Sequence, residues 1–247
     1  MEPNNFDARL KRALVLRRLG KAKEALADLD LLVADERTPT RVYFVRASVR
    51  TDLGEKAGAA ADRTEGLKRV PLDPASFVTR GLALASKEPE RALTDFQAAE
   101  TLDPNYPEAL LNQAWILAEK LDRTSDALKA VDRLLALYPD HQNGRGGRAV
   151  YLARLGRGDE AVAKARKLLD ATPQASAYYQ AACVFALVAK TSPKLKAEGV
   201  RLLASSLRHG FGFDYLLADP DLESLQDEKD FRVLAEAVRV MNRNEKR

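Results

Sequence analysis

An internal period restricts this chain more than any other feature. Five short segments resemble one another: Glu24-Ala25-Leu26, Gly58-Ala59-Ala60, Arg91-Ala92-Leu93, Asp126-Ala127-Leu128 and Glu160-Ala161-Val162. Their central alanines recur at nearly even steps, a period of about 34 residues. A series of prolines follows in phase, at Pro39, Pro74, Pro104, Pro139 and Pro173. Five residues before three of the alanines stands a glycine: Gly20, Gly54 and Gly156. A period of this length marks one small unit copied in series, each copy covering its apolar face with the next.

The punctuation gives the unit its shape. Glycine ends a helix because it tolerates positive φ just past the last turn. Alanine lets two antiparallel helices cross closely. Proline stops a helix interior and suits the start of the next helix. Each unit therefore reads as helix–turn–helix. A small residue recurs in the first helix, as Ala13, Ala47, Gly81, Ala114 and Ala149, and an apolar residue in the second, as Leu29, Phe96 or Val131. The second unit departs from this, with Arg63 at the apolar position and Gly66 beyond it, so its second helix is expected to be strained or mobile.

This pattern resembles the tetratricopeptide-repeat family, and the match is fullest in the fifth unit, Arg148 to Pro173. The resemblance covers residues 6–190. It implies an all-α fold, a right-handed superhelix or α-solenoid of about five repeats, with a degenerate sixth around Tyr178-Tyr179-Gln180-Ala181-Ala182-Cys183-Val184-Phe185-Ala186. Residues 191–247 then form the end of the array, continuous with the solenoid. Its Phe211-Gly212-Phe213 and Asp219-Pro220-Asp221-Leu222 stretches are similar to the closing segments of bacterial arrays of the planctomycete type. A final helix with Phe231, Leu234, Ala235, Val238 and Met241 on one face reads as the cap.

Composition supports a helical, solvated chain. Lys and Arg number 40 against 36 Asp and Glu, a net charge of +4 with the signs interspersed. That mixing reads as a salt-bridged surface rather than a nucleic-acid stripe. Cys183 is the sole cysteine, which excludes an intramolecular disulfide. The N-terminal residues show no basic and apolar leader, and no apolar run approaches membrane-span length. A cytoplasmic location is the expectation. His141 and His209 are far apart and Cys183 falls within a helix, so neither metal nor cofactor is expected. The sequence also lacks a phosphate loop, a nucleophile elbow and a kinase catalytic loop, so no enzyme is expected.

Two sets of residues are candidates for function. Arg12, Arg46, Arg80 and Arg148 occupy equivalent positions, with Gln113 on the missing rung, and Asp28, Asp62 and Asp95 recur in the second helices. Structural ion pairs between helices are the economical reading, with Arg46 facing Asp28 and Arg80 facing Asp62; an anion track is the alternative. The family resemblance implies that first helices line a concave groove. Its candidate lining is Leu14, Phe44, Val78, Leu82, Leu111, Trp115, Val150 and Tyr179, with Leu10, Ser48, Gly146 and Cys183 in the same rows. Trp115, the only tryptophan, is read either as a groove residue or as core between repeats.

The leading functional reading is a scaffold that binds a protein, as a peptide or a helix, in an apolar groove. A second is a regulatory module working beside a bacterial signalling enzyme such as a serine/threonine kinase. A third is an anion- or RNA-binding solenoid; Arg145-Gly146-Gly147-Arg148 occurs only once, which disfavours nucleic acid. Family members that clamp chaperone C-terminal tails use Lys and Asn in the groove. Only Asn112 fits that pattern here, so such a tail is disfavoured.

Overall fold

The computed structural model describes residues 6–170 and 173–244. The segment 1–5, read above for a leader, lies outside the described residues. Among the described residues are thirteen α-helices, two 3-10 helices and no strand. In chain order the α-helices are α1 (Phe6–Arg18), α2 (Ala22–Val33), α3 (Arg41–Asp52), α4 (Lys56–Lys68), α5 (Pro74–Leu84), α6 (Pro89–Leu102), α7 (Pro107–Glu119), α8 (Thr124–Leu137), α9 (Gln142–Arg154), α10 (Gly158–Asp170), α11 (Ala175–Ala189), α12 (Lys196–Arg208) and α13 (Lys229–Asn244). The 3-10 helices are Pro193–Leu195 and Pro220–Leu225. The chain divides into two compact units, Met1–Ile116 and Leu117–Arg247.

In the first unit, α1 packs on α2, α3 on α4 and α5 on α6, and α2 also packs on α3. The small residues sit at the crossings: Ala13 and Ala25 are fully buried with Leu29 and Val42 in one apolar cluster. Gly81 shows why the position must be small. A Cβ there would stand 2.5 Å from the Phe96 ring, which is wholly buried. The turn after α3 is closed by hydrogen bonds from the Gly54 amide to the Thr51 carbonyl and from Glu55 to Arg50, with Gly54 at φ 79°. This is the Schellman arrangement, and it satisfies carbonyls that the helix end leaves open.

The structure corrects one part of the expectation for α4, that Gly66 interrupts the helix. The helix runs unbroken through Gly66, and Gly66 is buried. A Cβ on Gly66 would lie 2.9 Å from the Phe44 ring, so this glycine makes room for Phe44 rather than interrupting the helix. Arg63 is exposed and hydrogen-bonds Thr51. The buried residues of α4 are only Ala59, Asp62 and Gly66.

In the second unit, α8 packs on α9, α9 on α10, α10 on α11 and α11 on α12, with α13 against α12. Asp122 takes the left-handed conformation, φ 53°, at the place where Gly20, Gly54 and Gly156 stand in other repeats. Aspartate tolerates that region better than most side chains. Pro74 sits at the start of α5, capped by Asp73, whose carboxylate accepts from the Ser76 amide. Pro39, Pro104 and Pro139 lie instead in the linkers just before α3, α7 and α9. Pro104 and Pro139 stand second in hydrogen-bonded turns, Asp103 to Tyr106 and Tyr138 to His141, a position that suits the fixed φ of proline.

Candidate interaction face

The arginines before each small residue are engaged by carboxylates in the first unit. Arg12 reaches Asp28, with Nε at 2.7 Å from one oxygen and Nη2 on the other. Arg46 donates to both oxygens of Asp62 at 2.9 and 2.5 Å, and Arg80 to both of Asp95 at 2.8 and 2.6 Å. Each pair is therefore made within one repeat. This corrects the expected partners: Arg46 meets Asp62, not Asp28, and Arg80 meets Asp95, not Asp62. The reason is geometric, since so short an offset along the chain joins antiparallel helices across one tight turn. Arg46 also reaches back to Asp30 of the preceding second helix at 2.9 Å, and Arg50 adds a bond to Asp62 at 2.9 Å. The hydrogen bond from Arg12 holds the Asp28 carboxyl below its ordinary value. Burial disfavours the charged Arg46 side chain, but its bonds to Asp62 and Asp30 outweigh that and raise its pKa. Gln113 takes the fourth rung, donating to the Phe96 carbonyl at 3.3 Å and to Glu100 at 2.8 Å.

The groove candidates separate into two rows. Leu10, Phe44 and Val78 stand three residues before the small residue, and all three are buried, at 7 to 8% exposure. Phe44 is drawn in over Gly66, as described above. Leu14, Ser48, Leu82 and Trp115 stand one residue after the small residue, and this row is open. Leu14 is 39% and Leu82 49% exposed. Ser48 and Trp115 are half-buried, and so is Leu111. The first helices thus use one row for their own packing and present the next to solvent.

In the second unit both rows are closed. Val150, Tyr179 and Cys183 are buried, at 7, 6 and 4% exposure. Their cover is the chain itself. After α12, the segment 210–225 turns back over α11, and its 3-10 helix packs there. The Tyr179 ring makes edge contacts with Phe211 and Tyr215, at centroid distances of 5.7 and 6.1 Å. Gly212 permits the approach: its φ is 103°, and a Cβ would lie 2.7 Å from the Tyr179 ring. Leu216, Leu222 and Leu225 are fully buried beneath the segment.

A polar cluster locks this cover in place. The Tyr179 hydroxyl donates to Asp219 at 2.9 Å, and the Cys183 Sγ lies 3.6 Å from the same carboxylate. Arg154 of α9 bridges Asp221 at 2.9 Å and Glu119 at 2.7 Å. Burial and the nearby carboxylates push the Cys183 thiol up. Burial also raises the Asp221 carboxyl, and Arg154 pulls it the other way. Cys183, Asp219 and Asp221 bring potential ligand atoms within 4.8 Å of one another. A metal would need the thiolate, which this setting disfavours. His141 caps α9, its ring nitrogen accepting from the Gly144 amide at 3.1 Å, and His209 stacks on Tyr178. The sequence leads one to expect that Gly210 to Leu225 turns back, with Phe211, Phe213, Tyr215 and Leu222 against the last helix pair; Phe211 and Tyr215 do meet Tyr179 of α11, and Leu222 is buried. What the sequence does not show is that this closes off Tyr179 and Cys183, both candidates for the groove lining. The signal was the Gly210–Gly212 pair, which the spacing of the repeats does not require.

No described helix is long and apolar enough to cross a membrane. Residues 117–176 match the family model of the tetratricopeptide repeat. The fold is similar to that of a tetratricopeptide-repeat protein from Parabacteroides merdae ATCC 43184, with a TM-score of 0.62 at 21% identity, over 92% of this chain and 86% of that one. It is also similar to TTC0263, a thermophilic tetratricopeptide-repeat protein of Thermus thermophilus, with a TM-score of 0.50 at 20% identity, over 81% of this chain and 99% of that one. A chain of the APC/C hetero-tetramer Cut9–Hcn1 matches with a TM-score of 0.62 at 15% identity, over 92% of this chain and 43% of that one. No curated protein matches the chain by sequence.

Proposed function

Since residues 117–176 match the tetratricopeptide-repeat model and the fold is similar to that of tetratricopeptide-repeat proteins, we propose that the chain is a protein-interaction scaffold whose docking face is the open row of its first unit. The observation that carries this reading is the contrast between the two units. Leu14 and Leu82 stand open to water, with Leu111 and Trp115 half-buried on the same helical series. In the second unit, residues 210–225 cover the Tyr179 and Cys183 face of α11. Leu14, Leu82 and Trp115 recur on this row, with Ser48 as the one polar rung, and open apolar surface of this kind marks an interaction face. Its ligand is an extended peptide or an amphipathic helix with hydrophobic anchors.

Trp115 supplies the natural probe, because it is the only tryptophan. Peptides selected from a displayed library against the whole protein should shift its emission on binding. Leu82→Glu should weaken those peptides by about tenfold or more, as expected for a charge placed in an apolar contact. The proposal fails if the selected peptides leave the emission unchanged and bind the variant as tightly as the parent. The ladder arginines of the first unit do not favour an anion track, because each already holds a carboxylate.

A further inference from the structure

We infer that the fifth repeat carries a pocket for a phosphate monoester, formed where the arginine ladder reverses its charge. This stands on different residues from the proposed docking face and does not depend on it. In the first three repeats the ladder arginine is neutralised by an aspartate of the second helix: Asp28, Asp62 or Asp95. Each of these stands three places after the central alanine of its repeat. In the fifth repeat the ladder arginine is Arg148, and the residue three places after Ala161 is Lys164. A carboxylate is therefore replaced by an ammonium group at the same place in the repeat. Arg148 turns instead to Asp132, at 2.6 Å, and to Glu160, at 3.5 Å.

At this place lies a cavity of about 330 Å³, between the end of α8, the start of α9 and α10. Arg145, Arg148, Lys164 and Lys167 line it, and the one carboxylate in the wall is Asp140. Asp140 stays fully exposed and lies 3.8 Å from Arg145. Asp132 and Glu160 touch Arg148, so the four cations outnumber the three nearby carboxylates by one, and the paired Arg148 leaves Lys164 and Lys167 as the open donors. The Lys167 side chain makes no ion pair or hydrogen bond with any described residue. Leu135 and Pro139 form an apolar wall beside these charges.

That chemistry fits one class of ligand. A phosphate monoester carries close to two negative charges and three terminal oxygens, which suit arginine forks and lysine together. A carboxylate offers two acceptor oxygens against the three of the monoester, fewer for the lysines and arginines that line the wall. The cavity holds roughly ten times the space of one water molecule in the liquid, so it has room for a phosphate and the first atoms attached to it. Those atoms would lie on Leu135 and Pro139. The monoester can come from a phosphorylated protein side chain or from a small phosphorylated compound, and the test separates these sources.

The experiment uses the full chain and a fluorescent Gly-Gly-phosphoserine-Gly-Gly peptide, its unphosphorylated twin, inorganic phosphate and a ten-nucleotide polyuridylate. The phosphopeptide should bind at least tenfold more tightly than its twin. Lys164→Asp should abolish that difference, and because it restores the pair seen in repeats 1 to 3 it should not lower the Tm. Lys167→Gln, which breaks no contact, should weaken binding about threefold and guards against a folding artefact in the first variant. Competition by inorganic phosphate at equal concentration assigns the pocket to small phosphates; failure to compete assigns it to a phosphorylated chain. Equal binding of the two peptides, or unchanged affinity in both variants, overturns the inference. So does polyuridylate binding that exceeds the phosphopeptide and is lost in the same variants.

Discussion

Asp62 is buried between two arginines of the helix that precedes it, and its side chain is 3% exposed. Arg46 and Arg50 are themselves only 14 and 20% exposed, so removing the carboxylate leaves two guanidinium groups poorly solvated. Asp62→Ala should cost about 2–4 kcal/mol in urea unfolding, near the lower part of the range for breaking buried pairs because both arginines retain other partners. Asp28 makes a more open version of the same pair, with Arg12 60% exposed. Its pKa is depressed in the fold, so its contribution is complete above the ordinary value of 3.8 and is lost as the pH falls through the depressed one. The stability gap between the parent and Asp28→Asn should therefore be flat from about pH 7 to 5 and narrow below about pH 4. A gap that widens on acidification would contradict this reading. The recurrence of these residues is visible in the sequence, but their partners are not. The repeat period is the same whether an arginine pairs within its own repeat or with the one before, and only the turn geometry selects the first.

At the scale of elements, α4 and the segment 210–225 show how far pattern reading reaches. The helix pairs, their turns and their small crossing residues all follow from spacing and from known backbone preferences. The interior of α4 does not, because Gly66 looks like a helix breaker until Phe44 is placed above it. Gly66→Ala gives the test. In an exposed helix the change stabilises by about 0.5–1 kcal/mol; here the added Cβ meets the Phe44 ring, so the Tm should fall. Combining it with Phe44→Leu should recover part of the loss. With only Ala59, Asp62 and Gly66 buried, α4 is weakly anchored by apolar contact, and its central amides should exchange hydrogen faster than those of α6, which buries Leu93 and Phe96. The segment 210–225 was legible as an end piece through its aromatic–Gly and Asp-Pro-Asp-Leu stretches. Its return onto the last helix pair was legible too, from its aromatic and leucine residues; that it would close over Tyr179 was not, since that contact has no counterpart in the repeat. Removing residues 210–247 should uncover Tyr179 and the face of α11, with dye binding and a broadened melt as readouts. A sharp melt without dye binding would show that the segment is not a cover.

At the scale of the whole molecule, the same repeat is used in two ways. The first unit leaves its Leu14, Ser48, Leu82 and Trp115 row open, and the second closes its Val150, Tyr179 and Cys183 face with its own chain. Periodicity alone predicts one uniform strip and so gives Val150 and Tyr179 the same standing as Leu82. The difference comes from burial, which depends on what lies across each row and is not written in the repeat. The two units therefore differ in which of them can meet the ligand. A photo-crosslinking amino acid placed at position 82, and separately at the exposed position of Leu217 on the covering segment, tests this with one selected peptide. Crosslinking at position 82 and none at position 217 is the predicted result; adducts confined to position 217 would contradict it.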